Sequence, residues 1–261
     1  MFKLKIGLAQ MNIVWENKEE TEKRCIKFLE KASREKVDLL VFPEMTLTGF
    51  SMNVNKIGEK NLETVKWFSE KSKEYNLCIG FGFVDIKDNI GKNNFSICTP
   101  YLGEIARYTK IHPFSYGEED KHYLKGEEIK YFNIGDINFS SFICYDLRFP
   151  EIFQAASKRS EAIIVIANWP EARREHWITL LKARAIENQC YICAVNRVGE
   201  GNGLYYSGDS MVIDPYGRVV CTSKDEEKLL TADISKDEVK NCREKFRFKQ
   251  DRREELYKRL F

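Results

Sequence analysis

The stretch Asp38-Leu39-Leu40-Val41-Phe42-Pro43-Glu44 carries four apolar residues in succession, then stops at a proline and a carboxylate. A strand with one wet face alternates apolar and polar residues, whereas an unbroken apolar run marks a strand covered on both faces. A second run, Ala162-Ile163-Ile164-Val165-Ile166-Ala167, repeats the pattern. Segments of helical period lie around these runs. Residues 18–36 put Cys25, Ile26, Leu29 and Ala32 on one stripe. All-apolar strands alternating with amphipathic helices predict an α/β fold whose sheets are covered by helices on both faces.

Working outward, strands are expected over 4–10, 77–84, 137–144, 191–196 and 229–234, and helices over 62–75, 150–159 and 175–188. Pro150 falls in the first turn of its helix, where a missing N–H costs nothing. Residues 94–99 and 105–109 flank Leu102-Gly103-Glu104, and 210–214 and 218–222 flank Pro215-Tyr216-Gly217. Both pairs read as hairpins, so the sheets are expected to be mixed. A short helix should start at Lys236. The basic stretch from Arg243 to Arg259 is interleaved with Asp251, Glu254 and Glu255 and reads as a solvated face or an interface arm. No Pro/Gly/Ser-rich linker and no internal repeat divides the chain. Residues 1–261 are therefore taken as a single domain, with 245–261 as a charged C-terminal tail.

A chain of 261 residues, 43% hydrophobic and 31% charged, can bury a core without metal or disulfide. Its formal net charge of +2 lacks the basic excess of a nucleic-acid partner. No apolar run is long enough to span a membrane. The opening Met1-Phe2-Lys3-Leu4-Lys5-Ile6 reads as a strand, not a signal peptide, which predicts a cytoplasmic protein. The eight cysteines mostly sit inside apolar runs and read as small buried hydrophobes. Cys190 and Cys193 form a C-x-x-C, but within the strand-like run Cys190-Tyr191-Ile192-Cys193-Ala194-Val195 and without a second ligand pair. The three histidines, His112, His122 and His176, show no metal spacing. No metal and no organic cofactor is expected.

Three polar residues stand where apolar strands end: Glu44, Lys110 after Ile105-Ala106-Arg107-Tyr108-Thr109, and Cys144 after Phe139-Ser140-Ser141-Phe142-Ile143. Ligands of open α/β sheets bind beyond the carboxyl ends of strands, so the three could converge there. Together they make chemical sense. A thiol attacks only as thiolate, a carboxylate can take its proton, and an ammonium stabilises an oxyanion. The N–H of Tyr145, next after the thiol, is a second candidate oxyanion donor. Asp146 and Arg148 read as residues that fix the turn after Cys144.

Phe42-Pro43-Glu44-Met45, Tyr108-Thr109-Lys110-Ile111-His112 and Ile143-Cys144-Tyr145-Asp146-Leu147-Arg148-Phe149-Pro150-Glu151 resemble, in order, the three signature blocks of the nitrilase superfamily of carbon–nitrogen hydrolases. The resemblance runs from Leu4 to about Ile234. Asn168-Trp169-Pro170, Glu175-His176-Trp177, Lys182 to Gln189 and Tyr206-Ser207-Gly208-Asp209-Ser210 are similar to the ω-amidase branch, whose mammalian members act on α-ketoglutaramate and α-ketosuccinamate. The resemblance implies a four-layer αββα sandwich of two mixed sheets, and a homodimer or larger homo-oligomer. It also implies hydrolysis of a small carboxylate-bearing amide through a cysteine thioester, with Glu44 as general base, Lys110 as oxyanion stabiliser and Cys144 as nucleophile. A second glutamate falls on Glu119. Glu118 is adjacent, but the spacing to Tyr123 and Gly126 favours Glu119.

Trp169, Pro170 and Arg173 follow the run 162–167 and should border the same pocket. Arg173 is the candidate for a substrate carboxylate, through a paired guanidinium contact, with Arg174 as its rival. Phe114 and Tyr116 would line the opposite wall. The alternatives are a carbamoyl-amide hydrolase or nitrilase of the same superfamily, or a non-catalytic binding protein on the same fold.

Overall fold

The computed structural model describes residues 3–260; Met1 and Phe2, at the start of the strand-like opening, and Phe261, in the charged tail, lie outside them. The first half runs β1 (Leu4–Gln10), α1 (Lys18–Arg34), β2 (Leu39–Val41), α2 (Val54–Ile57), α3 (Glu63–Tyr75), β3 (Cys78–Lys87), β4 (Ile90–Thr99) and β5 (Gly103–Thr109). Next come β6 (Tyr131–Ile134), β7 (Ile137–Ile143), α4 (Pro150–Ala156), β8 (Ala162–Ala167), α5 (Arg174–Asn188) and β9 (Tyr191–Asn196). The chain closes with β10 (Val198–Gly201), β11 (Leu204–Ile213), β12 (Val219–Lys224), β13 (Lys228–Ile234), α6 (Lys236–Lys245) and α7 (Glu254–Leu260).

Two sheets result. One orders its strands β13-β1-β2-β3-β4-β5; the other orders them β10-β11-β9-β8-β7-β6, with β12 added on β11. Each has a parallel centre, β1-β2-β3 and β7-β8-β9, and antiparallel margins. The sheets meet face to face, β1 on β9 and β4 on β7. The short strand β2 shows why its sequence is apolar throughout. Leu39 and Val41 point into the core between the sheets, with Ile6, Leu8, Phe142 and Ile164. Leu40 and Phe42 point the other way, onto Cys25 and Leu29 of α1 and Phe68 of α3. The Phe42 and Phe68 ring centroids are 5.4 Å apart. Each such side chain, fully buried, contributes about 1.5–3 kcal/mol. The helices α4 and α5 cover the second sheet through Phe153, Trp177, Leu181 and Ala185. The layers are therefore helix, sheet, sheet, helix, as the sequence implied. No helix among the described residues is long and apolar enough to cross a membrane.

Two strands were not expected. Strand β6 joins β7 through Gly135-Asp136, with Gly135 at φ +59°. Strand β10 joins β11 through Asn202-Gly203, both at positive φ, the two-residue turn that suits hairpin twist. The C-terminal stretch also departs from a solvated tail. Arg243 donates to the carbonyls of Ser157 (3.2 Å) and Ser160 (2.9 Å), Lys249 to those of Ser157 and Asn188 (both 3.2 Å), and Arg252 to Gln154 (3.0 Å). Helix ends leave carbonyls without partners and favour cations. Arg243 and Lys249 thus cap the ends of α4 and α5, while Arg252 holds the Gln154 side chain on α4, a tertiary demand that local charge pattern does not reveal.

Gly82 of β3 lets the chain after β2 lie close. A Cβ there would stand 2.4 Å from the Met45 nitrogen and 2.9 Å from the Glu44 Cα. Gly82→Ala is expected to destabilise the protein by about 1–3 kcal/mol through overpacking. Urea unfolding reads this directly, and an unchanged midpoint would refute the close approach.

Candidate active site

Glu44 lies three residues beyond β2, Lys110 one beyond β5, Cys144 one beyond β7 and Asn168 one beyond β8. The parallel centres of both sheets thus deliver their strand ends to one place. Cys144 opens a 3-10 turn, Cys144–Arg148, and holds φ +47°. A non-glycine residue in that region stores about 1–3 kcal/mol of strain and needs neighbours that enforce it. Asp146 supplies the restraint. Its Oδ2 accepts from the Ile143 N–H (3.0 Å) and the Tyr108 hydroxyl (2.8 Å), and its Oδ1 accepts from the His112 N–H (2.9 Å). The His112 ring stacks on Phe149 at 3.7 Å. Asp146 therefore ties the Cys144 turn to the segment carrying Lys110, which accounts for the turn-fixing part read for it.

Lys110 is buried between two carboxylates. Its Nζ lies 3.0 Å from Glu44 Oε1 and 2.8 Å from Glu119 Oε2. Burial alone would lower its pKa, but Glu119 and Glu44 reverse the effect and raise it well above the usual lysine value. Glu119 is itself raised by burial and by Glu44, against Lys110 and the Asn93 amide, which lower it. The Asn93 Nδ2 donates to Glu44 Oε1 (2.7 Å) and to Glu119 Oε1 (2.9 Å). The Asn168 N–H donates to Glu44 Oε2 (2.9 Å), and its Nδ2 donates to the Glu44 carbonyl (2.6 Å). Glu118 is exposed and pairs with Lys121 at 2.5 Å, so it is Glu119 that enters the cluster. Burial pushes the Cys144 thiol well above the usual value; Glu44 pushes it further and Lys110 opposes them. At neutral pH the resting group is a thiol beside a ready acceptor.

A cavity of about 500 Å³ opens onto Cys144. Tyr145, Trp169, Arg173 and Phe114, all singled out in the sequence, line it, as do Tyr116 and Pro170. The Trp169 indole donates to the Arg173 carbonyl at 2.8 Å. The Phe114 N–H donates to Glu119 Oε2 at 2.6 Å, and its ring lies 5.0 Å from that of Tyr145. The Arg173 guanidinium sits 5.4 Å over Phe114. Its rival Arg174 is held in a two-point pair by Asp209, at 2.9 and 2.7 Å. Arg148 also lines the cavity, 4.9 Å over Trp169, although its sequence position read as part of the turn. Among the described residues neither Arg148 nor Arg173 has a carboxylate at ion-pair distance. Sequence reasoning missed Asn93, which sits inside a strand where no local signal distinguishes it, and gave Tyr206 no place in the site although its stretch carried part of the resemblance; Tyr206 lines the cavity and lies 4.6 Å from the Arg197 guanidinium. Among the described residues no group of three or more His, Cys, Asp or Glu could hold a metal ion.

A thiol, a proton acceptor, a buried cation and a cationic wall around a small cavity are the parts of nucleophilic acyl transfer. Residues 5–244 match the carbon–nitrogen hydrolase family, and the chain belongs to it. It is 33% identical to a 2-oxoglutaramate amidase of Bacillus subtilis, over 97% of this chain and 98% of that one. It is 35% identical to an omega-amidase of Yersinia enterocolitica, over 94% and 95%. Among solved structures it resembles a CN-hydrolase superfamily protein of Xanthomonas campestris that carries an arsenic adduct in its active site. The TM-score is 0.91 at 31% identity, over 97% of this chain and 98% of that one.

Because its pKa is raised, Cys144 should stay protonated through neutral pH in the free protein. Alkylation by iodoacetamide is expected to be slow at pH 7 and to climb about tenfold per pH unit past pH 9. Subtracting the labelling of Cys144→Ala isolates this site, and a plateau below pH 7 would contradict the raised value.

Proposed function

We propose that the protein hydrolyses the side-chain or terminal amide of a small acid that also carries a free carboxylate, releasing ammonia. The observation that carries this reading is a reactive-thiol site with a cationic wall, Arg173 and Arg148, at the mouth of one small cavity. The names of the Bacillus and Yersinia relatives, a 2-oxoglutaramate amidase and an omega-amidase, support the same substrate class.

Glu44 accepts the thiol proton as the Cys144 sulfur attacks the amide carbon. The carbonyl oxygen gains the negative charge. The Lys110 ammonium and the Tyr145 N–H, in the first turn of its short helix where N–H groups lack partners, stabilise that oxygen. Collapse expels ammonia, protonated by Glu44, and leaves a thioester on Cys144. A water molecule that loses its proton to Glu44 attacks the thioester and frees the acid and the thiol. Glu119 holds Lys110 at the height of the oxyanion. Arg173 pairs with the distal carboxylate, since Arg174 is already engaged by Asp209. No metal or cofactor takes part. We place the enzyme in the cytoplasm as a homodimer. The exposed Ile186, Val219 and Val220 support a second copy as partner, and a monomer mass in light scattering would refute it.

Cys144→Ala should lower ammonia release at least about 10³-fold with an unchanged thermal melt. Retained turnover would overturn the nucleophile. Arg173→Ala should cost about 10- to 100-fold in kcat/KM for 2-oxoglutaramate, the scale of one charged hydrogen-bonded pair. The loss for a neutral amide such as butyramide should be much smaller. Equal losses on the two substrates would remove the carboxylate from Arg173.

A further inference from the structure

Asn93 lies in the middle of β4, fully buried, and both hydrogen bonds of its side chain go to the charged cluster. Its NH2 faces the two carboxyl groups, with one hydrogen to Glu44 Oε1 and one to Glu119 Oε1. Lys110 also reaches those two oxygens, at 3.0 and 3.2 Å, and Glu119 Oε2 more closely, at 2.8 Å. One oxygen of each carboxyl group thus shares two donors, one charged and one neutral. The Asn93 Oδ1 is buried without a protein partner, and so is the Oδ1 of Asn168, whose N–H and amide NH2 both serve Glu44. An unpaired buried oxygen is costly. Two such oxygens around one carboxylate place the value of each asparagine in what its nitrogen does. The main chain of Asn93 has a second part: its carbonyl accepts the Lys110 N–H at 2.9 Å.

We propose that Asn93 is a positioning residue that keeps Glu44 and Glu119 ionised together and thereby sets the acid limit of turnover. This rests on Glu44 being the base. Two neighbouring carboxylates in a buried site normally share a proton, because both cannot ionise at once without compensation. Here the fixed charges are two negative and one positive. Lys110 balances one carboxylate, and the remaining negative charge rests on neutral donors: the Asn168 N–H on Glu44, the Phe114 N–H on Glu119, and the Asn93 amide, which is the one that serves both. The titratable groups that face this cluster are Cys144 beyond β7 and Tyr123 beside Glu119, both neutral at physiological pH because burial raises them. Neither adds a positive charge. Without the Asn93 donor the pair takes up a proton at higher pH. A proton on Glu44 removes the base, and one on Glu119 loosens Lys110.

The test is the pH profile of kcat/KM for ammonia release from 2-oxoglutaramate, in wild type, Asn93→Ala and the near-isosteric Asn93→Leu. Losing the two charge-assisted hydrogen bonds of Asn93, one to each carboxylate, should move the acid limb up by at least about one to two pH units. Activity at the wild-type limb should fall about 10- to 100-fold, and the alkaline plateau should recover to within about fivefold. Asn93→Asp, which adds a third carboxylate, should move the limb further still. Thermal melts identify the folded variants, and Asn93→Leu carries the test if the alanine variant does not fold. A loss of equal size at every pH, with the limb unmoved, overturns the proposal. Glu44→Gln separates this from the underlying reading. If that variant keeps wild-type turnover and limb, Glu44 is not the base; if it is inactive while the Asn93 limb stays put, only the part given to Asn93 falls.

Discussion

One buried ammonium between two buried carboxylates is the constraint around which the rest is arranged. Lys110, Glu44 and Glu119 come from three separate segments, and each is almost fully removed from water. Removing a charge from water costs several kcal/mol, so none of the three is tolerable there alone. Each segment is thereby obliged to end where the other two end. The short strand β2, the end of β5 and the loop that turns back at Gly126 are held in mutual register by charge as well as by packing. Gly126 shows how tight this is: its N–H reaches the Lys110 carbonyl at 2.7 Å, and a Cβ there would stand 2.1 Å from the Thr109 oxygen.

The site straddles the two sheets, and two residues sew it across. Asn168, after β8 of the second sheet, grips the carboxylate and the main chain of Glu44 from the first. Asp146, after β7, grips Tyr108 and His112 on either side of Lys110. The apolar contacts between the sheets are non-directional, and alone they would let one sheet slide over the other. These polar ties fix the thiol against the buried ammonium and its carboxylates. The strained φ of Cys144 is held by the same Asp146, so the geometry of the thiol depends on the junction between sheets.

Much of this could be read from the sequence, and the reasons for the remainder are physical. Leu39 to Phe42 declares a strand buried on both sides because its two faces meet two different hydrophobic layers. Glu44, Lys110 and Cys144 stand out because polar groups that interrupt apolar runs must have a partner or a purpose. Asn93 gives no such signal. An asparagine within a polar-flanked segment such as Lys92-Asn93-Asn94 looks like turn chemistry, and its partners lie 49 and 26 positions away. What separates Arg173 from Arg174 is Asp209, which engages Arg174 from 35 residues downstream. Strands β6 and β10 escaped although their turns, Gly135-Asp136 and Asn202-Gly203, are hairpin signals, because four-residue strands at a sheet margin bury too little to show a period. The terminal cations were read as a solvated face or an interface arm, since nothing local announces that two helix ends need donors.

The pairing of β1 with β13 has a consequence for how the chain matures. Residues 4–10 lie antiparallel to residues 228–234, in register from Leu4 with Ile234 to Gln10 with Lys228. During synthesis β1 is made long before β13, since 218 positions separate Gln10 from Lys228, and one edge of β1 stays open through that interval. Its apolar face must be sheltered meanwhile by α1 and β2. The caps that Arg243 and Lys249 place on α4 and α5 arrive later still. The first sheet can close only once β13 has been made, so the order of translation and the order of assembly run in opposite senses here. Unpaired strand edges template wrong partners, and long-range pairing of this kind is slow. The interval before β13 appears is therefore when a nascent chain is most exposed to aggregation.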